Sequence, residues 1–148
     1  MTVSGPAHFP KLSVGTAQFV STRFESGAEF AGMTAGRALF DSVSTGDSGD
    51  PLDLSGATVD LLRVCPQGPS TCLLEDATVS AGRLDQPAGA AAHYELTDAT
   101  VGDVTIDCDP DTLDRYRFYR TRFEEFPFAS ARAVLRANRW CLHEYVGT

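Results

Sequence analysis

A stack of similar coils wound around one core is the fold class this sequence predicts, and three observations predict it. A small residue, any residue and then a large apolar one recurs at Ala17-Gln18-Phe19, Ala38-Leu39-Phe40, Ala57-Thr58-Val59, Ala77-Thr78-Val79, Ala99-Thr100-Val101 and Thr121-Arg122-Phe123. From Phe19 to Phe123 the steps between the large residues run 21, 19, 20, 22 and 22. A shorter period is nested inside the long one. Val14, Phe19 and Phe24 stand five apart, as do Leu54, Val59 and Val64, then Leu74, Val79 and Leu84, then Leu96, Val101 and Ile106, and last Leu113, Phe118, Phe123 and Phe128. The segments where this phase slips, near 27, 43–51, 65–72, 85–95 and 107–112, are rich in Gly, Pro, Ser and Asp, which is loop composition. A period near twenty does not arise from a lone helix or hairpin, and a step of five matches neither helical nor strand periodicity. Each coil is therefore expected to give one rung to a continuous core, with Phe19, Phe40, Val59, Val79, Val101 and Phe123 in equivalent places.

The nested pattern resembles pentapeptide-repeat proteins, whose unit is a small residue, a polar one, a central Leu or Phe, and two more polar residues. Phe19, Phe24, Phe30, Phe40, Val59, Val79, Val101, Phe118 and Phe123 match the central position. Ala17, Thr22, Ala28, Ala38, Ala57, Ala77, Ala99 and Thr121 match the small one. The resemblance runs over residues 12–128 with interruptions, and the residue before the central one is seldom Asp or Asn, Asp53 being the exception. It implies an all-β fold, a short right-handed, four-sided β-solenoid of about six coils. Tyr116, Phe126, Leu52 and Leu62 stand where a small residue is expected, so the coils there should be less square. Two other solenoids compete. Leu52-Asp53-Leu54-Ser55-Gly56 looks locally like a leucine-rich repeat, but its Leu-x-Leu is not renewed in each coil. Left-handed hexapeptide solenoids need a period of six.

Three segments follow from this reading: a leader at 1–9, the solenoid at 10–129, and a capping helix with its tail at 130–148. Ala131, Val134, Leu135, Asn138 and Leu142 lie at helical spacing, with Arg132, Arg136 and Arg139 on another face. Ser130 can cap the helix N-terminus. A lid is needed because the last coil of a solenoid exposes open backbone groups and an apolar cross-section.

Composition narrows the setting. The 148 residues suffice for one domain with a real core. Net charge is −8, with Lys11 the only lysine beside eleven arginines, and thirteen Asp outnumber seven Glu. Short carboxylates with few ammonium stems resemble the proteins of salt-accumulating archaea, where a Debye length of about 3 Å screens self-repulsion. An acidic surface imitating nucleic acid is the functional alternative. No run approaches the roughly 20 apolar residues of a membrane span, and Met1 to Pro10 lacks the basic and apolar regions of a secretory signal. The expectation is a cytoplasmic protein without membrane contact. Cys65, Cys72, Cys108 and Cys141 are then read first as free thiols, with a Cys65–Cys72 disulfide or a zinc site including His143 as alternatives.

Other constellations are weak. Gly46-Asp47-Ser48-Gly49 looks like a serine-protease nucleophile segment, but only His8 lies upstream as a base. Asp107-Cys108-Asp109-Pro110-Asp111 with Asp114 has Thr112 and Phe118 where a calcium-binding EF-hand loop needs Gly and Glu. His93 and His143 have no visible catalytic partner. Arg115-Tyr116-Arg117-Phe118-Tyr119-Arg120-Thr121-Arg122-Phe123 interleaves arginine with aromatics, as nucleic-acid surfaces do. With Phe118 and Phe123 inward, Arg115, Arg117, Arg120 and Arg122 stand outside as candidate binding residues. Ion pairs to Glu95, Asp98 and Asp103 one coil earlier are their simplest use, a docking patch for an acidic protein the next, and nucleic acid the least favoured.

These readings converge on a non-catalytic protein-interaction module with no cofactor and no metal. The alternatives are an acidic DNA mimic acting on a topoisomerase, and a structural or assembly component, cellular or viral, that forms homo-oligomers. An enzyme would most plausibly centre on Cys65, Cys72 and His143.

Overall fold

One coil shows why this sequence winds. Leu52, Leu54, Ala57, Val59, Leu62 and Val64 are buried, while Asp53, Ser55, Thr58, Asp60 and Arg63 between them are not. Inward residues come in pairs two apart, as strand alternation requires, and from the end of one pair to the start of the next is a step of three, across two intervening residues such as Ser55-Gly56 or Asp60-Leu61. Two plus three is the five-residue period. The same grid recurs at 28–40, 72–84 and 94–106.

The structure, a computed structural model, describes residues 1–45, 49–87, 89–107 and 115–125. Over these residues it is an all-β, right-handed β-solenoid of about five turns, the fold class expected. The strands β2 (Ala7–His8), β5 (Ala28–Glu29), β7 (Leu52–Asp53), β9 (Ser70–Leu73), β11 (Ala92–Glu95) and β13 (Tyr116–Arg117) stack in chain order as one six-stranded parallel sheet. A second is built from β3 (Ser13–Val20), β6 (Thr34–Val43), β8 (Thr58–Pro66), β10 (Thr78–Asp85), β12 (Thr100–Asp107) and β14 (Arg122–Phe123). The remaining pair, β1 (Thr2–Val3) and β4 (Arg23–Phe24), forms a short third side that a bridge from Arg23 extends to Ser44. Residues 1–9, expected as a leader, thus supply β1 and β2 to the first coil. The expected 130–148 helix lies outside the described residues.

A tight turn joins the two large sheets in every coil. The amide of Met33 donates to Phe30 O at 3.0 Å, Ala57 to Leu54 O at 3.1 Å, Ala77 to Leu74 O at 3.1 Å and Ala99 to Leu96 O at 3.0 Å. The third residue of these turns has positive φ: 70° at Gly32, 66° at Gly56, 57° at Asp76 and 59° at Asp98. That is the type II signature, and Gly or a short acid tolerates it best. Even the turn amides are satisfied, because Gly32, Gly56, Asp76 and Asp98 donate to Ser55, Glu75, Thr97 and Tyr119 of the following coil.

The interior is arranged in columns, and here the expected equivalence needs correction. Phe19 pairs with Phe40, but Phe40 then pairs with Val64, Leu84 and Ile106 in succession, not with Val59. Val59, Val79, Val101 and Phe123 form a separate column that continues back through Ala35 to Val14. The step at this point is 24 residues, not 19, because the connection 44–51 is long. A slip of five lands on another inward position, so the sequence pattern could not reveal it.

The columns stack aromatics at both described ends. Phe19 lies on Phe40 with ring centroids 5.4 Å apart, and Tyr94 on Tyr116 at 4.9 Å. Between them run Leu54, Leu74, Leu96, Val79 and Leu84, all buried. Leu52, Leu62 and Tyr116, large where a small residue is typical, are buried too. Tyr94 satisfies its hydroxyl by donating to Asp85 O at 2.6 Å.

Candidate interaction surface

The rigid corner places the four arginines. Arg120 occupies the positive-φ position of the last described turn, with φ of 51°. Its Nε and Nη2 donate to both carboxylate oxygens of Asp98, one coil earlier, at 2.7 and 2.6 Å. These hydrogen bonds, and then the charge of Asp98, push the Arg120 pKa further above its ordinary value. The guanidinium also sits 4.7 Å from the centre of the Tyr119 ring, a cation–π contact. Arg117 reaches Glu95 at 3.6 Å, again across one coil. Inter-coil pairing with Glu95 and Asp98 is therefore present, whereas Asp103 makes no ion pair among the described residues. Arg122 is exposed on β14, next to Thr100. Arg115 is half-buried and lines a groove of about 460 Å³ with His93, Thr71 and Ser70.

Tyr119 is the residue the sequence did not single out. It is 49% exposed, one of four large apolar side chains so displayed among the described residues. It sits between Arg117 and Arg120 because a type II turn sends its second residue outward. The five-residue grid marks that position in advance, since it directly follows an inward central residue.

Carboxylates are spread around the coil. Glu29, Asp53 and Glu95 share one outward column of the short-strand sheet, but Leu73 interrupts it and His8 and Arg117 close its ends. His8 Nδ1 lies 2.5 Å from Glu29, a one-coil contact that the step of 21 residues could have flagged. Glu75, Asp76 and Asp98 stand at the turns, Asp60 and Asp103 on the long strands, and Asp41 and Asp85 near those strands' ends. Among the described residues they form no two continuous lines.

Cys65 and Cys72 are free thiols. Burial, and then the neighbouring Asp53 charge, pushes the Cys72 thiol up to about 12, so it behaves as an apolar core residue. Cys108, Cys141, His143, the Asp47-Ser48 segment and the 108–114 acidic loop lie outside the described residues. Among the described residues no group of three or more His, Cys, Asp and Glu side chains is placed to hold a metal ion. A void beside Leu62, Leu74, Leu84 and Val104 measures about 10 Å³, too small for any ligand. Among those residues, too, no helix is long and apolar enough to cross a membrane. No family model matches the chain, and neither a curated protein nor a solved structure does.

Proposed function

We propose that this β-solenoid is a non-catalytic protein-interaction module of the pentapeptide-repeat type, working in the cytoplasm of a salt-adapted cell. The observation that carries the reading is the aromatic–arginine corner: Tyr119 exposed, Arg120 fixed across it by Asp98, and Arg117 and Arg122 alongside. Tyr and Arg on a preorganised backbone are the residue types that dominate binding hot spots, since little side-chain freedom is left to lose. An acidic protein surface fits this corner. The repeat-type assignment is supported by inward pairs on a five-residue grid, and the salt-adapted setting by one lysine among twelve basic residues.

The test is affinity capture from host extract at high salt with the wild-type chain and with Tyr119→Ala and Arg122→Glu variants. A protein held by the first and released by the variants, about tenfold weaker per hot-spot residue, is the expected result. Absence of any specific partner, together with a hydrolytic activity of the pure protein, overturns the reading. Topoisomerase inhibition is the less favoured reading because, among the described residues, the acids form no paired lines, and DNA supercoiling by gyrase should proceed unchanged in the protein's presence.

A further inference from the structure

We propose that the N-terminal end of the solenoid is a homodimerisation surface, where two copies pair their β3 edges about a two-fold axis. The inference goes beyond the Tyr119 corner, which lies at the other described end of the stack.

The first coil leaves its share of the core open. Val3, Leu12, Val14 and Phe19, all in this coil, are the apolar residues that pack on the core while only partly buried. In the second coil the residues paired with Val14 and Phe19, Ala35 and Phe40, are 4% and 0% exposed. Met1, Phe9 and Val20 are 70%, 45% and 50% exposed, three of the four large apolar side chains displayed by the described residues. β1, β2 and β3 are each the outermost strand of their sheet, so one row of backbone N–H and C=O groups on each lacks a strand partner.

Natural sheets protect such edges with charge, proline or bulges. The longest of these edges, β3, has none of them. β3 reads SVGTAQFV, without a charge or a proline. The long strands behind it carry Arg37 and Asp41, Asp60 and Arg63, Arg83 and Asp85, and Asp103 and Asp107. The bias extends to the whole coil: residues 1–22 contain no Asp or Glu, and all 20 acids lie beyond them. Lys11, the one Lys or Arg within residues 1–22, starts its side chain back along the stack. Its Cγ lies where it would meet a Cβ on Gly32 at 3.4 Å, on the side of the second coil.

Charge selects a second copy as the occupant. Two chains of net charge −8 repel when their sides meet, but the first coil is the part of each chain that brings no carboxylate to the contact. An end-to-end pair about a two-fold axis places β3 antiparallel to β3 and continues the sheet across both copies. Such a contact is isologous and closes at two, unlike head-to-tail stacking, which grows without limit.

Sedimentation equilibrium on the full chain, at low and high salt, reads the outcome. The expected mass is that of two chains, independent of further concentration. The Gln18→Lys/Val20→Lys variant, altered at two exposed outward positions of β3, should sediment as one chain with an unchanged far-ultraviolet spectrum and thermal midpoint. Thr58→Lys, an exposed position on an inner strand, should remain dimeric. A wild-type monomer at every concentration, a polymer that keeps growing, or a dimer indifferent to Gln18→Lys/Val20→Lys overturns the proposal. A monomer would point to another protein or another segment as the cover for this end.

Discussion

Two arcs of each coil obey different rules. From the short strand through the turn to the end of the second inward pair, the distance is the same in every coil: Ala7 to Phe19, Ala28 to Phe40, Leu52 to Val64, Cys72 to Leu84 and Tyr94 to Ile106 each span 12 steps. The return arc, from that residue to the next short strand, takes 9, 12, 8, 10 and 10 steps. The first arc is constant because its backbone is hydrogen-bonded to coils on both sides, so one extra residue would turn every following side chain to the wrong face. The second is paired between coils only in places, through β1–β4 and the ends of the long strands, and its loops can lengthen at a weak, logarithmic cost. Rigidity lies in one arc and variation in the other.

The sharpest way to break the constant arc is Gly82→Val. Gly82 has φ of 142°, and a Cβ there would lie 1.7 Å from Leu62 O. The backbone oxygen cannot yield without parting two rungs, so a loss above about 4 kcal/mol, read as failure to fold or a collapsed denaturation midpoint, is expected. Next comes Phe30→Ala. Phe30 is fully buried and touches Phe9, Phe19 and Phe40, so urea unfolding should show a loss of about 3–5 kcal/mol.

The return arc should answer more gently. Gln86 clasps Ala92 with both ends of its amide, at 2.7 and 2.9 Å, as a neighbouring strand would. Gln86→Ala should lose about 1–3 kcal/mol in the same unfolding assay. Inserting Gly-Ser between Gln67 and Gly68 should lose less than about 1 kcal/mol. A large loss there would erase the distinction between the arcs.

The division explains what could be read before any coordinates. Inward positions such as Val59, Val79 and Val101 were legible because the constant arc repeats without error. The join between Phe40 and Val64 was not, since the return arc sets it and a five-residue grid cannot report how many residues a loop absorbs. Arg117 and Arg120 were legible as inter-coil partners of Glu95 and Asp98 because they stand 22 residues away. Tyr119 was missed because the grid marks its position as outward but only the turn geometry sets how far it stands out, and the open first coil because an edge is a property of the stack. The clasp by Gln86 left no trace in composition.

Register is the claim on which the columns, the turns and the exposed corner all rest, and cross-linking tests it directly. Leu39 and Arg63 face outward as neighbours on β6 and β8. Cα atoms of such neighbours lie about 4.8 Å apart, inside the roughly 4.4–6.8 Å range of a disulfide. In a Cys65→Ser background, Leu39→Cys/Arg63→Cys should cross-link under mild oxidation, while Leu39→Cys/Thr58→Cys should stay reduced. The reverse result, a bridge from 39 to 58 and none to 63, would restore the 19-residue step and contradict the coil described above.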